Sequence, residues 1–318
     1  MSVTQTNPSE KKKFNVGDFL MSILPLFIML ALNTIATIPA VIIGMVNTLS
    51  RKTMETGTDG QLMVNEFLAD NGAQTAVMIG LICYAIVSII IFHFWYKKAF
   101  LKKQITISNK EIFTVKNVIL VVLVAIGCQA AIDLALSGIY VLLPDVMESY
   151  SQTLESAGLG TNIITTLIYA NILGPIAEEL MFRGVTQAYL RRSNLVTGLV
   201  IFFQALSFGI AHLNPVQSSY ALVLGLMLGF LRHKFGNIRV TVLAHIAFNV
   251  LGTYGIAALG LIPSDAVQYA IMGICTVIGI VALVLIAKQP TKQIEKPLEA
   301  TAPTVDTNAV KVAPVAQA

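Results

Sequence analysis

The chain has 318 residues, of which 55% are hydrophobic and 12% are charged, and its mean hydropathy is +0.75. Soluble domains carry about 25% charged residues, so this composition excludes an ordinary soluble protein and indicates one that lies mostly in a membrane. The net charge of +4 requires no nucleic-acid partner, because the basic residues lie beside apolar segments, where membrane topology accounts for them.

Eight apolar segments predict an all-α, polytopic transmembrane helical bundle. A helix that crosses the hydrocarbon core needs about 20 mostly apolar residues. The predicted spans are 19–46, 74–96, 117–143, 162–190, 195–213, 218–232, 240–260 and 267–288. The sixth is short, whereas the first is long and contains Pro25 and Pro39, which predict a kink or tilt.

The loops between these spans differ in basic residues, which gives an orientation. Six lysines lie between residues 97 and 116, and arginines or lysines also follow the fourth, sixth and eighth spans. The 144–161 loop has neither lysine nor arginine. Because basic residues are retained on the cytoplasmic side, we predict N-in and C-in topology in a cell membrane, most simply a bacterial plasma membrane.

The ends of the chain differ in composition from its centre. Residues 1–14 are polar and 289–318 are rich in Pro, Ala, Thr, Lys and Glu, so both are predicted to be disordered cytoplasmic segments that flank a membrane domain at 15–288. The three cysteines lie in apolar spans without a C-x-x-C pair, which argues against a disulfide framework and indicates core packing.

The stretch AEELMFRG, residues 177–184, places three ionisable groups in the fourth span. Each is costly in a membrane helix, by about 2.5–3.5 kcal/mol. Glu179 and Arg183 are four residues apart and can pair on one helical face, whereas Glu178 points about 140° away from Arg183. A structural ion network explains the pair but not Glu178; a general base in a partly dry cavity explains Glu178.

The sequence around these glutamates suggests an irregular helix. Gly174 and Pro175 are expected to break or start the helix, which would put both carboxylates near a helix N-terminus, where negative charge is favoured. Straight, upright helices would place Glu178 about 20 Å and His245 about 9 Å from the cytoplasmic ends of their spans. The polar groups can therefore meet only if irregular backbone lines a cavity.

Two further spans contribute polar residues at helical spacing. FGIAH places Phe208 and His212 on one face of the fifth span, and HIAFN places His245 and Asn249 on one face of the seventh. Either histidine alone would more often be a hydrogen-bonded core residue. Three spans that each bring groups of catalytic type favour a shared site.

Other polar residues within the spans are weaker candidates. Asp133 is expected to pair with another span or to line a cavity. Interhelical hydrogen bonding is the expected role of Asn33, Asn171, Gln187 and Gln204.

The assembled groups suit hydrolysis at an acyl carbon. A carboxylate and a histidine can hold and deprotonate water, while a second histidine and an amide can donate hydrogen bonds to an oxyanion. Glu178, His212 and His245 are equally an alternative zinc set with an open position. The sequence has no H-E-x-x-H motif and no serine or aspartate signature of other intramembrane hydrolases, which favours water as the nucleophile.

At these residues the chain resembles the CAAX protease and bacteriocin-processing family, also called the Abi family. These are intramembrane proteases related to the Ras-converting prenyl-protein endopeptidase. EELMFR resembles the motif E-E-x-x-x-R, FGIAH resembles F-x-x-x-H and HIAFN resembles H-x-x-x-N, and their order and spacing fit over about residues 162–255.

The resemblance implies roles for the motif residues. Glu178 would activate water as general base and His212 would hold that water, while His245 and Asn249 would stabilise the oxyanion. Supporting roles are implied for Glu179, Arg183 and Phe208. The family is described both as metal-dependent and as using a metal-free glutamate mechanism, so the implied cofactor is either none or a divalent metal such as zinc.

The resemblance also implies partners and leaves alternatives. The substrate would be a peptide or membrane-anchored protein, lipidated in the prenyl-protein case, and the biological role could be CAAX processing, peptide maturation, bacteriocin self-immunity or abortive infection. A non-catalytic immunity or scaffold protein is the main alternative. A proton-coupled transporter would favour broken helices in two related halves, and the sequence has no such repeat.

Overall fold

The computed structural model describes residues 13–52, 70–101, 107–156 and 163–292, and every regular element in these ranges is a helix. The segments that we predicted to be disordered lie largely outside the described residues, as do residues 53–69 between the first two predicted spans. Residues 289–292 are described: the Lys234 ammonium donates to the carbonyl of Gln289, and the Lys292 amide donates to the carbonyl of Lys234 at 2.9 Å.

The helices are numbered here in chain order. They are α1 Val16–Met21, α2 Leu24–Lys52, α3 Asn71–Ala99, α4 Asn109–Ile112, α5 Val115–Leu142, α6 Pro144–Ser156, α7 Ile163–Arg192, α8 Thr197–Ile210, α9 Pro215–Phe235, α10 Ile238–Leu259 and α11 Asp265–Ala287.

Six segments of the described chain are long and apolar enough to cross a membrane, which confirms the all-α, multi-pass bundle. They are the first predicted span, in α1 and α2, together with α3, α5, α7, α10 and α11. The predicted fifth span is α8, which has 14 residues, and the sixth is α9, which has 21 residues and ends among basic side chains. The count of eight crossings and the orientation stay predictions.

The first span is interrupted just before Pro25. Ser22 and Ile23 separate α1 from α2, and the Ser22 hydroxyl donates to the carbonyl of Phe19 at 2.6 Å. Pro25 then occupies the first turn of α2, where its missing N–H would have no helical partner in any case. Pro39 lies inside α2, which continues past it.

Small residues allow several helices to pack closely. A Cβ atom on Gly127 of α5 would lie 2.4 Å from the Cα atom of Gly279 in α11, and one on Gly225 of α9 would lie 2.9 Å from Ala205 in α8. Packing of backbones at small residues is the usual basis of helix association in lipid. All three cysteines are free; Cys83 is exposed, so its expected core packing is wrong.

Polar side chains between the helices make the expected hydrogen bonds. Gln204 donates to the carbonyl of Gly225 at 2.7 Å, and Gln187 donates to the carbonyl of Gly229 at 3.3 Å, so both join neighbouring helices. The Asp133 carboxylate accepts a 2.7 Å hydrogen bond from Gln129 of its own helix, one turn earlier.

Candidate active site

Helix α7 carries both glutamates and is continuous, but it contains two wide π-helical turns. These are Leu167–Leu173 and Glu179–Thr186, and a short α-helical segment, Gly174–Glu178, separates them. The expectation that Gly174 and Pro175 break or start the helix is wrong. The Gly174 N–H bonds the carbonyl of Tyr169, five residues earlier, so a widened turn accommodates the proline. The glutamates therefore lie mid-helix and depend on side chains rather than on a helix terminus.

Glu179 and Arg183 form the ion pair that their spacing predicted. Arg183 Nη1 lies 2.8 Å from Glu179 Oε1, and both side chains are fully buried. The guanidinium also lies over the Phe208 ring, 4.5 Å from its centroid, a cation–π contact that further stabilises the buried charge. Glu179 thus has a partner that keeps it ionised.

His245 lies between the two glutamates. Its Nδ1 atom is 2.8 Å from Glu179 Oε1, and its Nε2 atom is 3.6 Å from Glu178 Oε2. With Glu179 as the carboxylate partner of Arg183, Glu179 is the acceptor of the Nδ1 proton, and in a neutral imidazole the Nε2 lone pair then faces Glu178. A carboxylate that orients a histidine in this way is common at catalytic centres.

The two carboxylates differ in access. The Glu178 side chain is 24% exposed, whereas that of Glu179 is fully buried. Glu178 is also the one without an ion pair to Arg183 in the structure. The Glu178 carboxylate is therefore partly open to its surroundings, whereas that of Glu179 is enclosed by the protein.

Phe208 brings the second histidine to the same place. Its buried ring makes edge contacts with the imidazoles of His212 and His245, at centroid distances of 5.0 and 5.7 Å, and with the ring of Phe182 at 5.0 Å. His212 follows the end of α8 and is half-buried. The structure thus brings together Glu178, Glu179, Arg183, Phe208, His212 and His245.

The short length of α8 explains how these groups meet despite their different positions in their spans. Its 14 residues extend about 21 Å, less than the roughly 30 Å hydrocarbon core. A helix of this length that starts near one surface ends inside the bilayer, so His212 need not lie at the opposite surface.

Asn249 does not contact the glutamates. Its side-chain amide donates a 2.7 Å hydrogen bond to the backbone carbonyl of Ala170 in α7. In the same region, the Thr253 hydroxyl donates to Asn249 O at 2.8 Å and to Asn171 Oδ1 at 3.3 Å. The predicted interhelical role of Asn171 is confirmed.

The possible metal ligands among the site residues are Glu178, His212 and His245. Among the described residues, no group of three or more His, Cys, Asp or Glu side chains is arranged to hold an ion. His245 Nδ1 is occupied by Glu179, which leaves one imidazole nitrogen for any ligand. The zinc alternative stays a prediction.

Three tyrosines near Glu178 were not singled out from the sequence. Tyr84, Tyr169 and Tyr220 are all close enough to interact electrostatically with its carboxylate. The Tyr220 hydroxyl also shares a 2.8 Å hydrogen bond with Tyr150 of α6. Tyrosine is common in membrane helices, so only tertiary contact could identify these three.

Comparison with known proteins agrees with the motifs. Residues 160–251 match the family described as type II CAAX prenyl endopeptidase Rce1-like. This stretch is less than a third of the chain. It contains all three motifs and most of α7 to α10, so the resemblance seen in the sequence is confirmed. No curated protein and no solved structure matches the chain.

Proposed function

We propose that this protein is an intramembrane endopeptidase that cleaves a peptide bond with water activated by Glu178. Membership of a protease family and the multi-pass helical fold support proteolysis within a membrane. The observation that carries the mechanism is the difference between the glutamates: Glu179 is buried and paired, whereas Glu178 is accessible and faces His245.

The first step is the activation of water. The 3.6 Å between Glu178 Oε2 and His245 Nε2 is too long for a good direct hydrogen bond. A water molecule beside this gap can donate one hydrogen to each acceptor, which leaves its lone pairs free to attack. Glu178 removes a proton as the oxygen adds to the carbonyl carbon, and it returns that proton to the leaving amine.

The second requirement is a donor to the oxyanion. The resemblance implies that His245 has this role and that His212 holds the water. The geometry favours the reverse, because Glu179 holds the Nδ1 proton of His245 and leaves its Nε2 as an acceptor. His212, across the Phe208 ring, is then the donor to the tetrahedral oxyanion.

The substrate class follows from the location of the site. A carboxylate and two imidazoles inside an apolar helix bundle can reach only a chain that enters the membrane or lies at its surface. We therefore propose a peptide or membrane-anchored protein as substrate, and lipidation would aid its delivery. A non-catalytic immunity or scaffold protein is the alternative.

Glu178→Gln tests the proposal because it keeps the shape and removes the base. The measurement is peptide-terminus mass spectrometry of membranes and medium from cells that express either chain at equal level. We expect the wild-type termini to disappear and precursors to accumulate, with a rate loss of about 10²–10⁴-fold. Glu148→Gln on the exposed face of α6 is the matched control. Identical termini with a persistent wild-type phenotype would favour the scaffold.

A further inference from the structure

Pro175 removes one backbone N–H from α7, directly after a wide turn. In the wide turn before Gly174, the N–H of that residue bonds the carbonyl of Tyr169, five residues earlier. With the same five-residue spacing, the N–H of residue 175 would bond the carbonyl of Ala170. Residue 175 is proline and has no N–H.

Asn249 of α10 supplies the missing donor. Its Nδ2 atom lies 2.7 Å from the Ala170 carbonyl oxygen. In lipid, an unsatisfied backbone carbonyl is strongly destabilising because no water is present to bond it. The side-chain amide therefore replaces the backbone hydrogen bond that Pro175 cannot make.

The contact joins two irregular turns. Helix α10 is itself widened at Leu251–Gly255, directly after Asn249. Thr253, within this turn, bonds both the Asn249 carbonyl and the fully buried Asn171. Two helices with wide turns are thus linked at adjacent residues of α7, Ala170 and Asn171.

The same two helices carry the groups that activate water. His245 lies one turn before Asn249 in α10, and Glu178 lies eight residues after Ala170 in α7. A hydrogen bond that fixes the axial position of α7 against α10 also fixes the distance between Glu178 and His245. The reaction rate is sensitive to this distance, since a displacement of about 1 Å can lower a rate by about 10²-fold.

We propose that Asn249 is a positioning residue that holds the Glu178 helix by replacing the Pro175 N–H, and that it does not touch the substrate. The catalytic consequence rests on the proposed function, whereas the structural exchange between Pro175 and Asn249 does not. The proposal differs from the oxyanion role that the family resemblance implies for Asn249.

The test is a double-mutant cycle between Asn249→Ala and Pro175→Ala. The alanine at 175 restores a backbone N–H that can bond the Ala170 carbonyl, so Asn249 is no longer needed. For the purified protein in detergent, kcat/KM and Tm are measured for the wild type, both single variants and the double variant. The substrate is a peptide found by the terminus analysis.

We expect Asn249→Ala to lower kcat/KM roughly tenfold or more and to lower Tm by several degrees, as for an unsatisfied buried group. The double variant should recover most of both losses. An oxyanion donor predicts instead that the double variant is as inactive as Asn249→Ala. The proposal is overturned if the double variant recovers neither kcat/KM nor Tm.

Asn249→Leu provides a second variant of similar volume that cannot donate. It should lose stability as Asn249→Ala does, and wild-type Tm in this variant would also overturn the proposal. The Tm readout requires no protease activity. A chain whose activity survives Glu178→Gln would therefore refute the proposed function while leaving the exchange between Pro175 and Asn249 testable.

Discussion

At the scale of single residues, each buried charge in the site has a specific partner. Arg183 pairs with Glu179 and lies over Phe208. Arg232 is also buried, and it donates to the Tyr96 hydroxyl at 2.8 Å and to the backbone carbonyl of Arg183 at 3.3 Å. Removal of one member of such a pair leaves an uncompensated charge, which costs more than the pair contributes.

This leads to a prediction for the Glu179–Arg183 pair. Arg183→Met should destabilise the protein by about 3–5 kcal/mol, because it leaves the Glu179 carboxylate buried without its counter-ion. Combination with Glu179→Gln should recover part of this loss, since the amide is neutral and its oxygen can still accept from His245. Chemical denaturation in detergent measures both. A double variant no more stable than the single would show that charge is not the cause.

At the scale of helices, the glycines between α5 and α11 determine how closely the helices approach. A Cβ on Gly127 would meet the Gly279 Cα at 2.4 Å and the Cys275 carbonyl oxygen at 2.8 Å, and backbone atoms cannot move aside singly. Gly138 lies on the same helix, and a Cβ there would meet no atom within 4 Å. The two positions therefore differ in contact but not in helix propensity.

Gly127→Ala should destabilise the bundle by about 1–3 kcal/mol through overpacking. Gly138→Ala should be neutral or stabilising by up to about 1 kcal/mol, because alanine favours helix. The measurement is the thermal unfolding midpoint of both variants in one detergent. Equal midpoints would mean that α5 and α11 accommodate the methyl group at residue 127 without loss of stability. That result would contradict the close packing in the structure.

At the scale of the whole molecule, loop charge and helix length together predict how the helices are placed in the membrane. The loop charges predict that α3 and α5 are joined in the cytoplasm and that α6 lies outside. The short α8 and the less apolar α9 either cross the bilayer or form a hairpin that enters from the cytoplasm.

Cysteine labelling distinguishes these arrangements in a chain whose three natural cysteines are replaced by alanine. With an impermeant thiol reagent on intact cells, we expect labelling of Glu148→Cys and not of Lys98→Cys until the membrane is permeabilised. Both positions are exposed. Labelling of exposed Leu213→Cys in intact cells would support eight crossings, and its protection would support a hairpin. Reversed labelling of residues 98 and 148 would contradict N-in topology.

The sequence by itself determined the features that depend on one segment at a time. The apolar spans could be predicted because bilayer thickness sets a local length requirement, and the Glu179–Arg183 pair could be predicted because residues four apart share a helical face. The motifs likewise identified the two glutamates, Arg183, Phe208 and the two histidines that the fold brings together. The interruption before Pro25 is likewise expected from the chemistry of one residue.

Only the tertiary structure decided the features that depend on how helices lie against each other. Helical spacing could not show that His245 would bond Glu179 rather than Glu178, or that Asn249 would bond the carbonyl of Ala170. The continuous helix at Pro175 was not predicted because its wide turn is stabilised by a side chain from α10. Rotation and axial shift between packed helices fix these contacts, and the periodicity of a single helix contains neither quantity.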